Sequence, residues 1–270
     1  MLSTPPPKQQ GEKLVAATAF PTKGPVEGSS LALSGDGNTA VIGGPGFRNP
    51  QNVDDVTGTV WIFVRRGGVW SQQGGRLSVS GAGPSLYLGT SVSISADGNT
   101  VIVGGGATGP NPRAWIFTRT NGAWSGQGPA LTASGAVSQP VGSFAAQVAI
   151  SGDGNTAAID AVQDDGAKGA AWIFTRNHDV WTEQGPKLVG TGAINAAQGA
   201  GQGAVALSFD GNTLLLGGGW DNQSIGATWF FQRENGNWAQ QGTSWLARVR
   251  GDRCYKAWRS RFQRTGTPQL

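Results

Sequence analysis

Aspartate is the residue type in this chain best suited to chemistry, and it recurs on a fixed grid. Asp36, Asp97, Asp153 and Asp210 each open the run Asp-Gly-Asn-Thr. A carboxylate beside an amide oxygen is the raw material of a hard-cation site, but Ca2+ takes about 6–8 oxygen ligands, several of them carboxylates. One Asp and one Asn per loop cannot supply that set. The four aspartates are therefore read as turn formers, because Asp-Gly and Gly-Asn adopt tight turns cheaply, with a metal role as the weak alternative and no cofactor expected.

Other chemistries are limited by inventory. Cys254 is the only cysteine and His178 the only histidine, so the chain holds no Cys/His zinc set. His178 sits in the turn Asn177-His178-Asp179, a poor place for a triad histidine, which a third group must orient. The paired acids Asp54-Asp55 and Asp164-Asp165 are the only adjacent carboxylates, and both read as solvated loop. No His, Cys or paired-carboxylate set recurs in a way that suits acid–base work, so the expectation is a protein that is not an enzyme.

Tryptophan follows the same grid. Trp61, Trp115, Trp172 and Trp229 are each followed nine residues on by Trp70, Trp124, Trp181 and Trp238, and the first set is spaced by 54, 57 and 57 residues. Self-similarity at such a period marks a repeat architecture. The first set reads as core between repeats. The second, on an outer strand, offers repeated aromatic faces on which a sugar could stack.

These residues imply the elements that must hold them. In the third copy Gln147–Ser151 alternates apolar and small or polar residues, Gly152–Asn155 turns, and Thr156–Ile159 forms a second strand. After the loop 160–168, the aromatic and β-branched run 170–176 is a third strand. The run 180–189 is a fourth, and Pro186 inside it demands an edge position. Four short antiparallel strands per unit make one blade, so the fold expected is all-β: a β-propeller of four recognisable four-stranded blades, as an incomplete ring or a four-bladed closure. The blades fall at about 28–77, 88–132, 142–189 and 203–242. Residues 9–15 match 183–189 and read as an unpaired outer strand able to close a ring. Residues 1–8 read as disordered.

The units resemble the FG-GAP repeats of the integrin α-subunit propeller in their bacterial multi-repeat form, over about residues 9–242. The resemblance rests on Gly89-Thr90-Ser91-Val92 at the inner strand, Ile42-Gly43-Gly44-Pro45-Gly46 at the end of the second and Gly58-Thr59-Val60-Trp61-Ile62-Phe63 in the third. The family's calcium loop, Asp-x-Asp-x-Asp-Gly, is shortened here to Gly35-Asp36-Gly37-Asn38 and its equivalents. The resemblance implies a non-enzymatic interaction or scaffold module, bacterial and extracellular or envelope-associated, with an unidentified protein or glycan ligand. The alternative is a lectin-like propeller using Trp70, Trp124, Trp181 and Trp238. Variable loops on a rigid scaffold are the default place for recognition; here they join second to third strands and carry Asp54, Asp55, Asp164, Asp165, Trp220 and Asp221.

Composition agrees with many short strands: glycine numbers 45 of 270 residues and charged residues are 13%. No apolar run is long enough for a membrane helix, and Met1–Gln10 lacks the basic start and apolar stretch of a secretory signal. The net charge of +4 is misleading. Residues 243–270 hold seven basic side chains against the single acid Asp252, so the repeats themselves are net acidic and no nucleic-acid partner is expected for them.

The repeat pattern stops at Thr243. Where the third copy continues Lys187-Leu188-Val189-Gly190-Thr191-Gly192-Ala193, the chain reads Thr243-Ser244-Trp245-Leu246-Ala247-Arg248-Val249-Arg250. A coding sequence for Thr-Lys-Leu-Val-Gly-Thr-Gly-Ala, with one base deleted, encodes that stretch. Codons for residues 262–269 can be written so that the neighbouring frame gives Ser-Ala-Asp-Gly-Asn-Thr-Ala, whose first six residues are the run Ser95–Thr100. Residues 243–270 are thus expected to be an out-of-frame, poorly ordered reading of a fifth repeat, the chain being a truncated propeller. A genuine basic tail for nucleic acid or anionic membrane is the alternative.

Overall fold

The computed structural model describes residues 9, 11–16, 28–46, 48–49, 52–79, 86–105, 112–137, 147–194, 200–242 and 245–246. Residues 1–8 and most of 243–270 lie outside them. The strands in chain order are β1 (Ser30–Leu33), β2 (Thr39–Gly44), β3 (Arg48–Asn49), β4 (Asn52–Val56), β5 (Thr59–Arg66) and β6 (Val69–Gln72) in the first repeat. The second holds β7 (Ser91–Ile94), β8 (Thr100–Gly105), β9 (Arg113–Thr120), β10 (Ala123–Gly126) and β11 (Leu131–Thr132). The third holds β12 (Val148–Ile150), β13 (Thr156–Ala161), β14 (Ala170–Asn177) and β15 (Val180–Glu183). The fourth holds β16 (Gln202–Leu207), β17 (Thr213–Gly218), β18 (Ala227–Glu234), β19 (Asn237–Gln240) and β20 (Trp245–Leu246).

Each repeat folds as one antiparallel blade, in orders β1-β2-β5-β6, β7-β8-β9-β10, β12-β13-β14-β15 and β16-β17-β18-β19. The molecule is all-β and propeller-like. The Asp-Gly-Asn-Thr run explains the first hairpin of every blade. Asp36 Oδ1 accepts the Ser34 hydroxyl and the Asn38 N–H, and Ser34 Oγ in turn accepts the Thr39 N–H. The same closed set recurs around Asp97, Asp153 and Asp210. A short polar side chain bonding the backbone two residues on is what favours Asp at such turns.

Outer strands are shorter than the sequence suggests. β15 ends at Glu183, because Gly185 (φ +70°) and Pro186 break the ladder, and Leu188 then rejoins β14 opposite Ala171. The loop 47–57 contains the hairpin β3–β4. Trp61, Trp172 and Trp229 are fully buried, each with apolar partners from the strands around it. A Cβ on Gly43 would lie 2.2 Å from the Gly89 carbonyl oxygen. Glycine at the end of a second strand is therefore what lets the next blade enter closely.

Among the described residues the four blades form an open arc. Leu31 and Leu33 on β1 are 67% and 60% exposed, whereas Val92 and Ile94, at the same positions of β7, are buried. Leu14 and Ala16 pack against blade 1, beside Trp61 and Phe63, as Leu188 packs beside Trp229 of the blade after it. Among the described residues no strand pairing joins blade 4 to blade 1.

Candidate functional site

The outer tryptophans are occupied by the scaffold. Arg119 Nε donates to Asn99 Oδ1 in its own turn, while its Nη1 reaches Gln73 Oε1 and Thr39 Oγ1 in the preceding blade. The guanidinium lies 5.3 Å from the Trp124 ring centroid, and Trp124 Nε1 donates to the same Gln73 oxygen. Arg176 with Trp181 and Gln127, and Arg233 with Trp238 and Gln184, repeat the arrangement. Arg65 covers Trp70 likewise. Each of the four aromatic faces carries an arginine, and the three indole N–H groups are committed to glutamines. This corrects the lectin reading: the repeated outer tryptophans clamp blade to blade, with a cation–π contact contributing about 0.5–1 kcal/mol at such part-exposed places.

In blades 3 and 4 the second-to-third-strand loops share one construction. Asp164 Oδ1 accepts the Val137 N–H at 2.7 Å, and Asp221 Oδ1 accepts the Ile194 N–H at 2.6 Å. Both aspartates are buried, and each thereby ties its loop to the segment entering from the blade before. The residues after them run left-handed: Asp165, Gly166 and Ala167 in one loop and Asn222, Gln223 and Ser224 in the other have φ between +47° and +67°. Consecutive non-glycine residues in that region are costly and persist only where the surroundings impose them.

The two carboxylates differ in their second oxygen. Asp164 Oδ2 accepts the Lys187 ammonium at 2.5 Å, and that ammonium also lies 5.8 Å from the Trp172 ring centroid. Asp221 Oδ2 is buried with no hydrogen-bond partner among the described residues. Asp165, by contrast, is an exposed partner of Lys168, whose hydrogen bond lowers its carboxyl below the ordinary range. Trp220 is 43% exposed, with its ring against Gly201. Asp54 and Asp55 lie on β4, and their side chains fall outside the described residues.

One further carboxylate was not singled out by sequence. Asp160 stands in β13 where the other second strands have Gly43, Gly104 and Gly217. It is fully buried; Oδ1 accepts the Gln147 N–H at 2.6 Å and Oδ2 has no partner among the described residues. Burial pushes its carboxyl well above the usual range, against the opposing Gln147 N–H. Oδ2 faces Gly203, where the β16–β17 register slips between Gln202 and Ala204; a Cβ on Gly203 would lie 3.1 Å from it. The signal available in sequence was the break in the Gly-Gly ending of the second strands.

The turn aspartates bring no ligand set together. Each spends its oxygens on its own turn, and among the described residues no group of three or more His, Cys, Asp or Glu side chains is placed to hold a metal ion. No helix is long and apolar enough to cross a membrane.

No protein-family model and no curated protein matches this chain. Solved structures do. A periplasmic gluconolactonase of Pseudomonas aeruginosa is 18% identical with a TM-score of 0.52, over 83% of this chain and 59% of that one. A protein of Bacteroides uniformis described as a candidate 6-phosphogluconolactonase is 12% identical with a TM-score of 0.52, over 86% of this chain and 58% of that one. The chain thus spans less than two thirds of the length of either. At these identities the likeness shows the propeller fold. The FG-GAP and integrin resemblance finds no counterpart among these matches. The names overturn the expectation of a non-enzymatic scaffold, because the similar propellers are named as lactonases. Absence of a His, Cys or recurring acid pair does not exclude catalysis, since one non-recurring carboxyl can carry it.

Proposed function

We propose that this chain is the greater part of a propeller hydrolase acting on a small sugar-derived lactone at the end of the arc where the second strands finish. The observation that carries the reading is Asp160: a buried carboxyl, present in one blade only, with one oxygen that has no partner among the described residues and lies against the irregular entry of the next strand. Strand irregularities are over-represented beside active sites, and a carboxyl whose burial makes it hold its proton more tightly than usual is suited to act as a general acid. The names of the two similar propellers supply the substrate class. FG-GAP kinship and an extracytoplasmic address are parts of the same proposal that rest on the repeat motifs alone.

In this reading the irregular entry of β16 at Gly203 moves off Asp160 Oδ2 to admit the lactone; water adds to the lactone carbonyl, the ring C–O bond breaks, and the departing oxygen takes the proton from Oδ2. The proton released by the attacking water returns to Asp160. Hydrolysis of glucono-δ-lactone followed by acid release tests it. Asp160→Asn is expected to lower kcat by about 10²-fold or more, the usual worth of a positioned general acid, while leaving the melting temperature undiminished. Absence of turnover above the spontaneous rate in the unmodified protein, or full activity in Asp160→Asn, would overturn the reading.

A further inference from the structure

Three side chains that break the repeat register meet at the entry of β16. Asp160 stands where the other second strands carry glycine. Gln202 stands where blade 2 carries Leu88: its N–H donates to Lys168 C=O and it pairs with Gly169, as Leu88 donates to Thr57 C=O and pairs with Gly58. Trp220 stands where blade 3 carries Gln163, each preceding the aspartate that opens a left-handed loop.

The three are strung along the stretch Gly201-Gln202-Gly203. A Cβ on Gly203 would lie 3.1 Å from Asp160 Oδ2, and one on Gly201 would lie 2.6 Å from Cδ2 of the Trp220 indole. Gly201 also has φ +60°, so its conformation and its contact both call for glycine. Two residues of chain keep the Cα atoms of Gly201 and Gly203 within about 7 Å of each other. Between them Gln202 is buried, with Oε1 accepting the Gly190 N–H at 2.7 Å and Nε2 donating to the Gly190 C=O at 3.0 Å. A buried amide satisfied at both ends is a fixed point. The register shift lies beyond it, between Gln202 and Ala204. Gly203 is therefore free to give way above Asp160 while Gly201 and the indole stay in place.

Trp220 is 43% exposed. The other tryptophans whose side chains are described are buried, packed into a core cluster or covered by an arginine. The Trp220 backbone is tied at both ends, its N–H to Ala200 C=O and its C=O to the Ser224 N–H. An exposed indole on a tied loop offers a large apolar face at little further entropic cost.

We propose that the Trp220 indole is the platform on which the substrate ring lies, the C–H face of a sugar lactone against the indole and its carbonyl end toward Asp160. The ligand class rests on the lactone reading above; the platform rests on Trp220, Gly201 and Gln202.

Binding is tested without turnover. D-glucono-δ-lactam, which has a ring amide in place of the ester, is titrated into the full chain while the indole N–H resonances are followed. The resonance missing from Trp220→Phe is expected to shift saturably, in the unmodified chain and in Asp160→Asn alike. In hydrolysis of glucono-δ-lactone, Trp220→Gln, which carries the residue of blade 3, should raise KM roughly tenfold at unchanged kcat. That is the upper worth of one aromatic stack, and it falls on KM because stacking holds substrate and transition state equally. Trp220→Phe keeps a ring and should stay within about threefold of the unmodified KM. A Trp220 resonance that does not move with the lactam, or a folded Trp220→Gln with unaltered KM, overturns the platform. A saturable shift in a chain that hydrolyses no lactone overturns the lactonase reading and leaves the platform standing.

Discussion

Blades 3 and 4 share a turn, an arginine clamp, a buried tryptophan and a left-handed loop, yet they differ at two carboxylates. Blade 3 carries Asp160 where blade 4 carries Gly217, and it completes Asp164 with Lys187 where in blade 4 Asp221 Oδ2 has no partner among the described residues. Groups that recur in register do the same mechanical work in each blade, so their types are set by the neighbouring blade. Groups that break register answer to something else. Asp160 costs desolvation and is compensated by one backbone N–H; it is the departure for which catalysis is the stronger account. Asp221 differs from Asp164 in that its Oδ2 has no hydrogen-bond partner among the described residues.

The largest change that erases the difference is Lys187→Met, which makes blade 3 resemble blade 4. It leaves Asp164 buried without its ammonium and should destabilise the chain by about 3 kcal/mol, the low end for breaking a buried pair, read by urea unfolding. If the loss is near zero, Asp164 and Asp221 are equally well accommodated and the contrast between the blades is empty.

The next effect has a sign that separates the blades. Asp160 has a raised folded-state pKa through burial, so the folded chain binds its proton more tightly than the unfolded chain does. Its contribution is fully present below the ordinary carboxylate value of 3.8 and is lost as pH rises from there through the raised value. Stability measured between pH 4 and neutrality should fall more steeply in the unmodified chain than in Asp160→Asn. An unchanged slope would show that Asp160 is not desolvated as described.

The smallest effect runs the other way. Asp210 in the blade 4 turn is lowered first by the Ser208 hydroxyl and then by the Asn212 N–H. Its contribution is present above 3.8 and is lost as pH falls through the lowered value. Asp210 is exposed, so the change is modest. Asp210→Asn should flatten the acid limb of the stability curve without touching the limb governed by Asp160. A mutant that alters both limbs would mean the two carboxylates are coupled, and the blades could not then be compared one against the other.

Much of the fold was legible because it is local and repeated. Asp36-Gly37-Asn38-Thr39 and its copies turn the chain through bonds that begin and end within a few residues. The aromatic third strands alternate visibly, and the 57-residue spacing gives the blade its length. The candidate site was less legible. Asp164 and Asp221 were marked as loop residues, but nothing local says that each ties its loop to the incoming segment. Asp160 was passed over because its neighbours in sequence, Ile159 and Ala161, make it look like the end of an ordinary strand. Trp70, Trp124, Trp181 and Trp238 read as sugar platforms because the sequence shows the ring and not that the arginine five residues earlier lies on it.

By itself, the sequence determined the repeat, the four hairpins, the all-β class and the point at which the pattern breaks. These depend on periodicity and on short-range turn chemistry, which act before the chain has packed. Only the tertiary structure decided which faces are covered, that the blades form an open arc, and which buried carboxylates are left with an unpartnered oxygen. The arginine on each outer tryptophan stands only a few positions before it. The contacts between blades and the buried carboxylates, however, join residues from Gln147 and Asp160, 13 positions apart, to Thr39 and Arg119, 80 apart, and no pattern along the chain specifies which of many such pairs will meet.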